Sequence, residues 1–224
     1  MNQQVNFGRC KRKANQFRAK QGTCGTVHQR NLQGRTMTKK TEEPNENITI
    51  IGFRNVQIEN INAFLEHFRK ENREAAVQFF DAKHVAGPQH LYFAALNALN
   101  AFDKNINISN NLAVEALLYA SAQRQIKKAV EMLGIKQESS EVAALIMTEN
   151  RHKKTDYLRL VTKITPGERD DSVLELTDKK IGNIKKLFRI SDLEFEAKLK
   201  NEGLEKEALT DLVIDRMALL VTKS

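Results

Sequence analysis

VQFFDAKHVAGPQHLYFAALNALNAF (residues 77–102) contains a strand, a turn and a helix, and the rest of the fold can be ordered around it. Its first four residues, together with Ala75 and Ala76 before them, form AAVQFF (75–80), a short apolar run that predicts a strand. Gly87-Pro88 predicts a helix start, because proline suits the first turn, where its missing N–H would have no partner anyway. The predicted buried stripe of that helix is Leu91, Ala95, Ala98, Leu99 and Phe102.

Three further strands are predicted around this unit. ITIIGF (48–53) and VAALIM (142–147) are short apolar runs, and YLRLV (157–161) is interpreted as a fourth strand because of its alternating character. For this last run a short helix stays open as the alternative. The helix predicted after the first strand has its apolar residues three and four positions apart, at Ile58, Ile61, Phe64, Leu65 and Phe68.

A second informative block is EALLYASAQRQIKKAVEMLGI (115–135). Ser109 is the predicted N-cap of its first helix, because a serine hydroxyl can accept from a free first-turn amide. Residues 112–119 are apolar on most sides, which indicates a helix that is central to the domain or pressed against a partner. Whether residues 120–122 interrupt the helix stays open. The next helical stripe and its glycine stop are Ile126, Ala129, Val130, Leu133 and Gly134.

Three helices are predicted near the C-terminus, at residues 177–188, 191–200 and 204–221, the second of them capped by Ser191. Strands and helices together predict an α+β fold. We expect one compact domain with a small mixed or antiparallel sheet of about four strands, packed by helices.

The formal charge of +8 is unevenly distributed along the chain. Residues 1–41 contain ten Lys or Arg and no acidic residue, which leaves 26 basic against 28 acidic residues in 42–224. We therefore divide the chain into a basic extension, 1–46, predicted to be disordered, and a folded domain, 47–224. The extension could attract phosphate backbones, or it could be a solvated tail or a product of start-site choice or cloning, with Met37 as an alternative beginning.

Composition also suggests where the protein acts. No run of about 18 to 20 apolar residues could span a bilayer, and the N-terminus lacks a secretory signal, so we expect a cytoplasmic protein without membrane contact. Cys10 and Cys24 both lie in the extension, so the domain has no disulfide framework. With His28 they make only three possible zinc ligands, whereas a structural site needs four, and no metal is expected.

Common catalytic signatures are missing from the sequence, including the phosphate-binding GxxxxGK[ST], GxGxxG, GxSxG and HExxH. Asp81, His84 and His90 are the best isolated candidates for acid–base chemistry, as in a small hydrolase. The competing interpretation is that Asp81 caps a turn and the histidines are solvated or lie at the edge of the core.

Basic residues suggest RNA binding. Arg124, Lys127 and Lys128 would project from one helix face, and RHKK (151–154) adds a second basic segment. Against this, Glu131 could pair with Lys127, and lysine-rich faces are common on soluble helices. Four aromatic residues are available for stacking on bases, but their spacing is more typical of core residues: Phe79, Phe80, Tyr92 and Tyr119.

Three blocks resemble a known family: FFDAKHVAGPQHLYFAALNAL (79–99), LLYASAQRQIKKAVEMLGI (117–135) and DRMALLVTKS (215–224). They resemble the kinase-binding subunit of the KEOPS tRNA-modification complex, over about residues 47–224. Two departures stand out. Ser121-Ala122 occupies the place of the family's usual Ser-Gly, and nothing in the family accounts for residues 1–40.

The resemblance implies a non-catalytic subunit that docks on the kinase-like ATPase of KEOPS. It would recruit tRNA by its 3′ CCA end for threonylcarbamoyladenosine formation next to the anticodon. ATP, metal, carbamoyl donor and small-molecule substrate are then expected elsewhere, so no cofactor is predicted here. A stand-alone RNA-binding protein acting through its basic extension is the alternative, followed by the small hydrolase.

Two residue sets follow as hypotheses. The kinase contact is predicted on the apolar helix, at Leu112, Leu117 and Leu118. The RNA-facing set is Lys83, His84, Gly87, His90, Arg124, Gln125 and Lys128, in which cations neutralise phosphate and Gly87 permits close approach.

Overall fold

The structure, a computed structural model, describes residues 45–220 except 73, 150, 200 and 202. The predictions for residues 1–44, including the disordered extension and its cysteines, lie outside these residues. The strands are β1 (Ile48–Arg54), β2 (Ala76–Asp81), β3 (Val142–Met147) and β4 (Glu168–Arg169). The helices are α1 (Ile61–Glu71), α2 (Pro88–Asp103), α3 (Leu112–Ser121), α4 (Ile126–Leu133), α5 (Lys154–Ile164), α6 (Asp178–Leu187), α7 (Asp192–Lys198) and α8 (Glu205–Ala218).

The four strands form one antiparallel sheet in the order β2-β3-β1-β4. The predicted α+β class is therefore confirmed, with the antiparallel alternative correct. Ala144 of β3 lies opposite Ile51 of β1 on one side and Phe79 of β2 on the other. All six residues of β3 are buried, because helices cover both faces of the sheet at this strand.

Alternate residues of β3 belong to two separate cores. Ala143 and Leu145 join a core with α2, α3 and α8, whereas Ala144 and Ile146 join a core with α1 and α5. This follows from the two-residue period of a strand, in which successive side chains point to opposite faces. The domain thus has a large helical layer on one face of its sheet and a small one on the other.

For residues 157–161 the strand prediction was wrong, and the helix left open as the alternative is confirmed. Residues 157–161 lie within α5, where Tyr157 and Val161 point into the core one helical turn apart. The actual β4 contains only Glu168 and Arg169, both exposed, and pairs with the end of β1. Such a short, charged strand has no apolar alternation for sequence analysis to detect.

Helix ends were predicted with mixed success. Ser191 caps α7 in a capping box with Glu194, and Gly134 ends α4, as expected. Ser109, in contrast, is not the cap of α3: the Oδ1 of Asn111 accepts from the Val114 N–H instead. No helix among the described residues is long and apolar enough to cross a bilayer.

Candidate binding surfaces

Asp81 ends β2 and organises the loop that follows. Its Oδ1 accepts from the Lys83 N–H at 3.0 Å, capping the 3-10 turn Ala82–His84, and its Oδ2 accepts from the Ser139 hydroxyl at 2.8 Å. Each oxygen of this buried carboxylate accepts one hydrogen bond, so Asp81 holds the loop in place. The interpretation of Asp81 as a turn cap is confirmed.

Gly87 begins α2 in a conformation that favours glycine, with φ at 92°. The residue is buried, and the preceding carbonyl, that of Ala86, accepts from the Thr210 hydroxyl of α8 at 3.0 Å. Gly87 therefore shapes the turn from inside the domain. Its predicted close approach to RNA is not supported by this geometry, which exposes Pro88 and Gln89 instead.

His90 is fully buried, and both of its ring nitrogens are held by backbone groups. Nδ1 accepts from the Ala86 N–H at 3.1 Å, so Nε2 carries the proton and donates to the Ala120 carbonyl of α3 at 2.8 Å. Desolvation lowers the pKa of His90 to about 4, which keeps the ring neutral. The predicted place of His90 on the RNA-facing surface is wrong, because the residue joins α2 to α3 in the interior.

Lys83 and His84 reach the surface from the same 3-10 turn. Lys83 is exposed and His84 is half-buried. Burial lowers the pKa of His84, and the opposing effect of Asp81 is smaller. The Nδ1 atom of His84 is buried without a hydrogen-bond partner among the described residues. Asp81, His84 and His90 therefore form no acid–base relay, because Asp81 and His90 are held by other groups.

Arg124, Gln125 and Lys128 are exposed, as predicted. The helix face predicted for Arg124, Lys127 and Lys128 is not formed, because Arg124 lies outside the helix. Helix α4 begins only at Ile126, and Arg124 lies in the preceding turn, where its Nη1 donates to the Leu220 carbonyl at 3.3 Å. Lys127 and Glu131 come within 4.0 Å of each other, as the alternative interpretation expected.

The bond between His90 and Ala120 brings two of these segments to one end of the domain. His90 lies in the first turn of α2 and Ala120 in the last turn of α3, so the start of one helix contacts the end of the other. The β2–α2 loop with Lys83 precedes this junction, and the turn with Arg124 follows it. Of the basic segment at 151–154, Lys153 is paired with Glu74 at 2.6 Å, at the α5 layer.

The leucines predicted to contact a kinase are mostly interior residues. Leu117 is 2% exposed and Leu118 is 0% exposed, whereas Leu112 is partly buried against the same core. A uniformly apolar helix is here a central helix, the first of the two interpretations given above. Leu117 and Leu118 as surface anchors are therefore corrected.

Exposed apolar side chains lie one helix further along. Ile126 and Val130 are one turn apart on α4, and they are 50% and 46% exposed. Leu219, directly after α8, is 44% exposed and is followed by the carbonyl that Arg124 contacts. Sequence analysis assigned Ile126 and Val130 to the buried stripe. The signal that could have separated them is that Ala129 and Leu133 already form a complete inward pair.

Among the described residues, no group of three or more His, Cys, Asp or Glu side chains could hold a metal ion. The described residues also offer two sets of exposed side chains: the cations Lys83, Arg124 and Lys128, which we call the cationic end, and the apolar residues Ile126, Val130 and Leu219. We call the second set the α4–α8 face.

Comparisons with known proteins agree with a binding role. A family model described as kinase binding protein CGI-121 matches residues 53–220, from β1 to the end of the described chain. A curated protein of Methanocaldococcus jannaschii, "Regulatory protein Cgi121", is similar to this chain. The two are 30% identical over 135 residues, which cover 60% of this chain and 83% of the archaeal protein.

Proposed function

Because the chain belongs to the CGI-121 family of kinase-binding KEOPS subunits, we propose that it joins two partners without catalysing a reaction itself. One surface docks on the kinase-like ATPase of the complex. Another recruits tRNA by its single-stranded 3′ CCA end, so that the adenosine next to the anticodon receives its threonylcarbamoyl group from a different subunit. The exposed α4–α8 face carries this proposal.

The α4–α8 face has the chemistry of a protein-docking surface. Ile126 and Val130 lie on a regular helix, and exposed apolar patches rimmed by polar side chains mark interaction sites in soluble proteins. A helix face set in a partner's groove is a common recognition mode.

Val130→Asp tests the kinase contact. It places a charge on the α4–α8 face at a position whose exposure leaves the core intact, so the kinase subunit should bind at least about tenfold more weakly in a calorimetric titration. The matched control is Leu193→Asp on α7, where the side chain is 77% exposed. Unchanged affinity for Val130→Asp, or an equal loss for both variants, contradicts docking at this face.

The cationic end supports the RNA half of the proposal. Lys83, Lys128 and Arg124 are exposed, and cations that neutralise phosphates supply the sequence-independent part of the affinity for a nucleic acid. Gln125 is exposed beside them and has the donors and acceptors that read unpaired base edges.

Three measurements separate this function from its alternatives. First, the full chain should bind intact tRNA more tightly than tRNA lacking CCA. Second, Lys83→Gln and Lys128→Gln should each lower the salt slope of binding by about one unit, whereas Lys163→Gln on α5 should not. Third, residues 37–224 should keep both partners. Binding that disappears with residues 1–36 would favour an RNA-binding protein acting through its basic extension.

A further inference from the structure

A cationic depression lies between the end of α6 and the start of α7. Its volume is about 540 Å³, and it is open to solvent. The residues that line it are Gly182, Lys185, Lys186, Arg189, Ile190, Ser191 and Asp192. We call it the α6 groove.

Two of its three cations are uncommitted. Lys185 is paired with Asp192 and lies 4.4 Å above the Phe195 ring, so its position is fixed by the protein. Lys186 and Arg189 are exposed, and neither side chain has an ion pair among the described residues. The groove therefore offers two free positive charges to an anionic ligand, with its one carboxylate already neutralised.

Gly182 adds an observation that is independent of charge. It lies inside α6, where glycine is less favourable than alanine. A Cβ atom there would meet nothing within 4 Å, so packing within the domain does not require glycine. Its backbone is therefore bare on the groove side, and glycine is the residue that lets a ligand approach a backbone closely.

The start of α6 connects the groove to the cationic end. Helix α6 packs against the 3-10 turn Ala82–His84, and the inward-pointing Lys180 interacts electrostatically with Asp81 of that loop. Lys179 is exposed at this start, two helical turns and about 10.5 Å before Lys186 on the same face. Cations thus follow α6 from the β2–α2 loop to the groove.

We propose that the α6 groove binds the phosphodiester backbone of the RNA strand whose end is recruited at the cationic end. This inference rests on the proposed function, in which RNA is the ligand. Lys186 and Arg189 neutralise successive phosphates, and the bare backbone at Gly182 gives the strand room to lie against α6. Contacts of this kind position a nucleic acid without reading its bases.

The double variant Lys186→Gln/Arg189→Gln tests the groove in the full chain with intact tRNA as the probe. Affinity should fall roughly fivefold and the salt slope by about two units, because two phosphate contacts are removed. The matched control is Arg159→Gln/Lys163→Gln, an exposed arginine and lysine one turn apart on α5, and it should leave both quantities unchanged. An unaffected double variant overturns the groove.

Gly182→Ala gives a second, opposite readout. The melting temperature should rise, because alanine favours the helix, while tRNA affinity falls because the new methyl group occupies the groove. Asn183→Ala, at the next exposed position of α6, should also raise the melting temperature but leave affinity unchanged. If Gly182→Ala and Asn183→Ala bind tRNA with equal affinity, the RNA strand does not approach the backbone closely at Gly182.

These outcomes are distinguishable from failure of the proposed function. If the unmodified chain does not bind tRNA, the proposed function is wrong. If the unmodified chain binds tRNA and the groove variants bind it equally well, only the assignment of RNA binding to the α6 groove is wrong. A supporting result lowers affinity by the same factor for intact tRNA and for tRNA lacking CCA. Loss of kinase binding with tRNA affinity retained would assign the groove to a protein interface and overturn the proposal.

Discussion

Helices α3 and α4 follow each other in the chain, and both are rich in apolar residues, yet they serve different purposes. Eight of the ten residues of α3 are buried, including the carboxylate of Glu115. Helix α4 buries only Ala129 and Leu133 and leaves Ile126 and Val130 half exposed. The helix with more apolar residues is the one that a partner cannot reach.

This difference shows what marks a docking helix in this protein. An apolar side chain contributes to docking only if the domain itself leaves it uncovered. In α3 the sheet, α2 and α8 already cover the leucines, whereas in the part of the chain that the structure describes Ile126 and Val130 stay about half exposed. Variants at equivalent chemistry in the two helices should therefore separate folding from binding.

The largest expected difference is between Leu118→Ala and Ile126→Ala. Leu118 is fully buried, so its truncation leaves a cavity and should lower the free energy of unfolding by about 2–5 kcal/mol. Ile126 is half exposed, and its truncation should cost about 0.5 kcal/mol or less. Urea denaturation measures both. Under conditions in which both variants are fully folded, Ile126→Ala should weaken kinase binding more than Leu118→Ala does. A loss of kinase affinity in Leu118→Ala alone would contradict the comparison.

His90, which joins α2 to the end of α3, makes stability depend on pH. Its pKa is about 4 in the folded protein against 6.5 when unperturbed, so the unfolded chain binds the proton more strongly. This contribution is complete above pH 6.5 and is lost as the pH falls towards 4, with a total of roughly 3 kcal/mol. The measurement is the free energy of unfolding at several pH values.

The control for this pH dependence is His90→Gln. It removes the titrating group while the carboxylates and His84 continue to titrate in both proteins. The difference between the two profiles should therefore have its slope between pH 6.5 and 4. Parallel profiles would mean that His90 is protonated equally in both states, and the interior placement would then lose its energetic support.

A smaller effect is expected at two glutamates. Glu115 of α3 is buried and accepts from the Ile108 and Ser109 N–H groups, so Glu115→Gln should destabilise the domain by about 1–2 kcal/mol. On α4, Glu131 is 64% exposed and lies 4.0 Å from Lys127. Glu131→Gln should change stability by no more than about 0.5 kcal/mol. Equal effects in thermal denaturation would contradict the contrast between the helices.

The parts of this fold that sequence predicted are those with a strong local signal. VAALIM was recognised as β3 because burial on both faces selects a continuous apolar run. Asp81 was recognised as a possible turn cap because aspartate accepts from nearby backbone amides. The two-residue β4 gives no such local signal. It pairs with β1, and the ion pair that accompanies this pairing joins Arg54 to Glu168, a residue 114 positions away.

The candidate surfaces were harder to predict because exposure is decided by distant partners. His90 stands beside a polar loop in the sequence, but the Ala120 carbonyl, 30 positions away, holds it inside. Likewise, the local sequence does not indicate which apolar side chains α2 and α8 will cover. They cover Leu117 and Leu118 but not Ile126 and Val130. The boundary at residues 46–47 and the RNA-contacting side chains stay predictions.

Ala122, the residue between α3 and α4, is expected to give the smallest effect. It adopts φ 51° and ψ 34°, the left-handed conformation, and its N–H bonds to the Tyr119 carbonyl while the Gln123 N–H bonds to that of Leu118. This is the Schellman pattern of helix ends, at the position where glycine is preferred. The departure from the Ser-Gly of the related family therefore falls where a side chain is least favourable.

Ala122→Gly should accordingly stabilise the domain by about 0.5–1 kcal/mol, since relief of the left-handed strain exceeds the entropy that glycine adds to the unfolded chain. The melting temperature should rise by about 2 °C. Ala120→Gly, two residues earlier and inside α3, should shift it the other way, because there glycine only loosens a buried helix. Shifts of the same sign would mean that the chain does not turn between the buried and the exposed helix at Ala122.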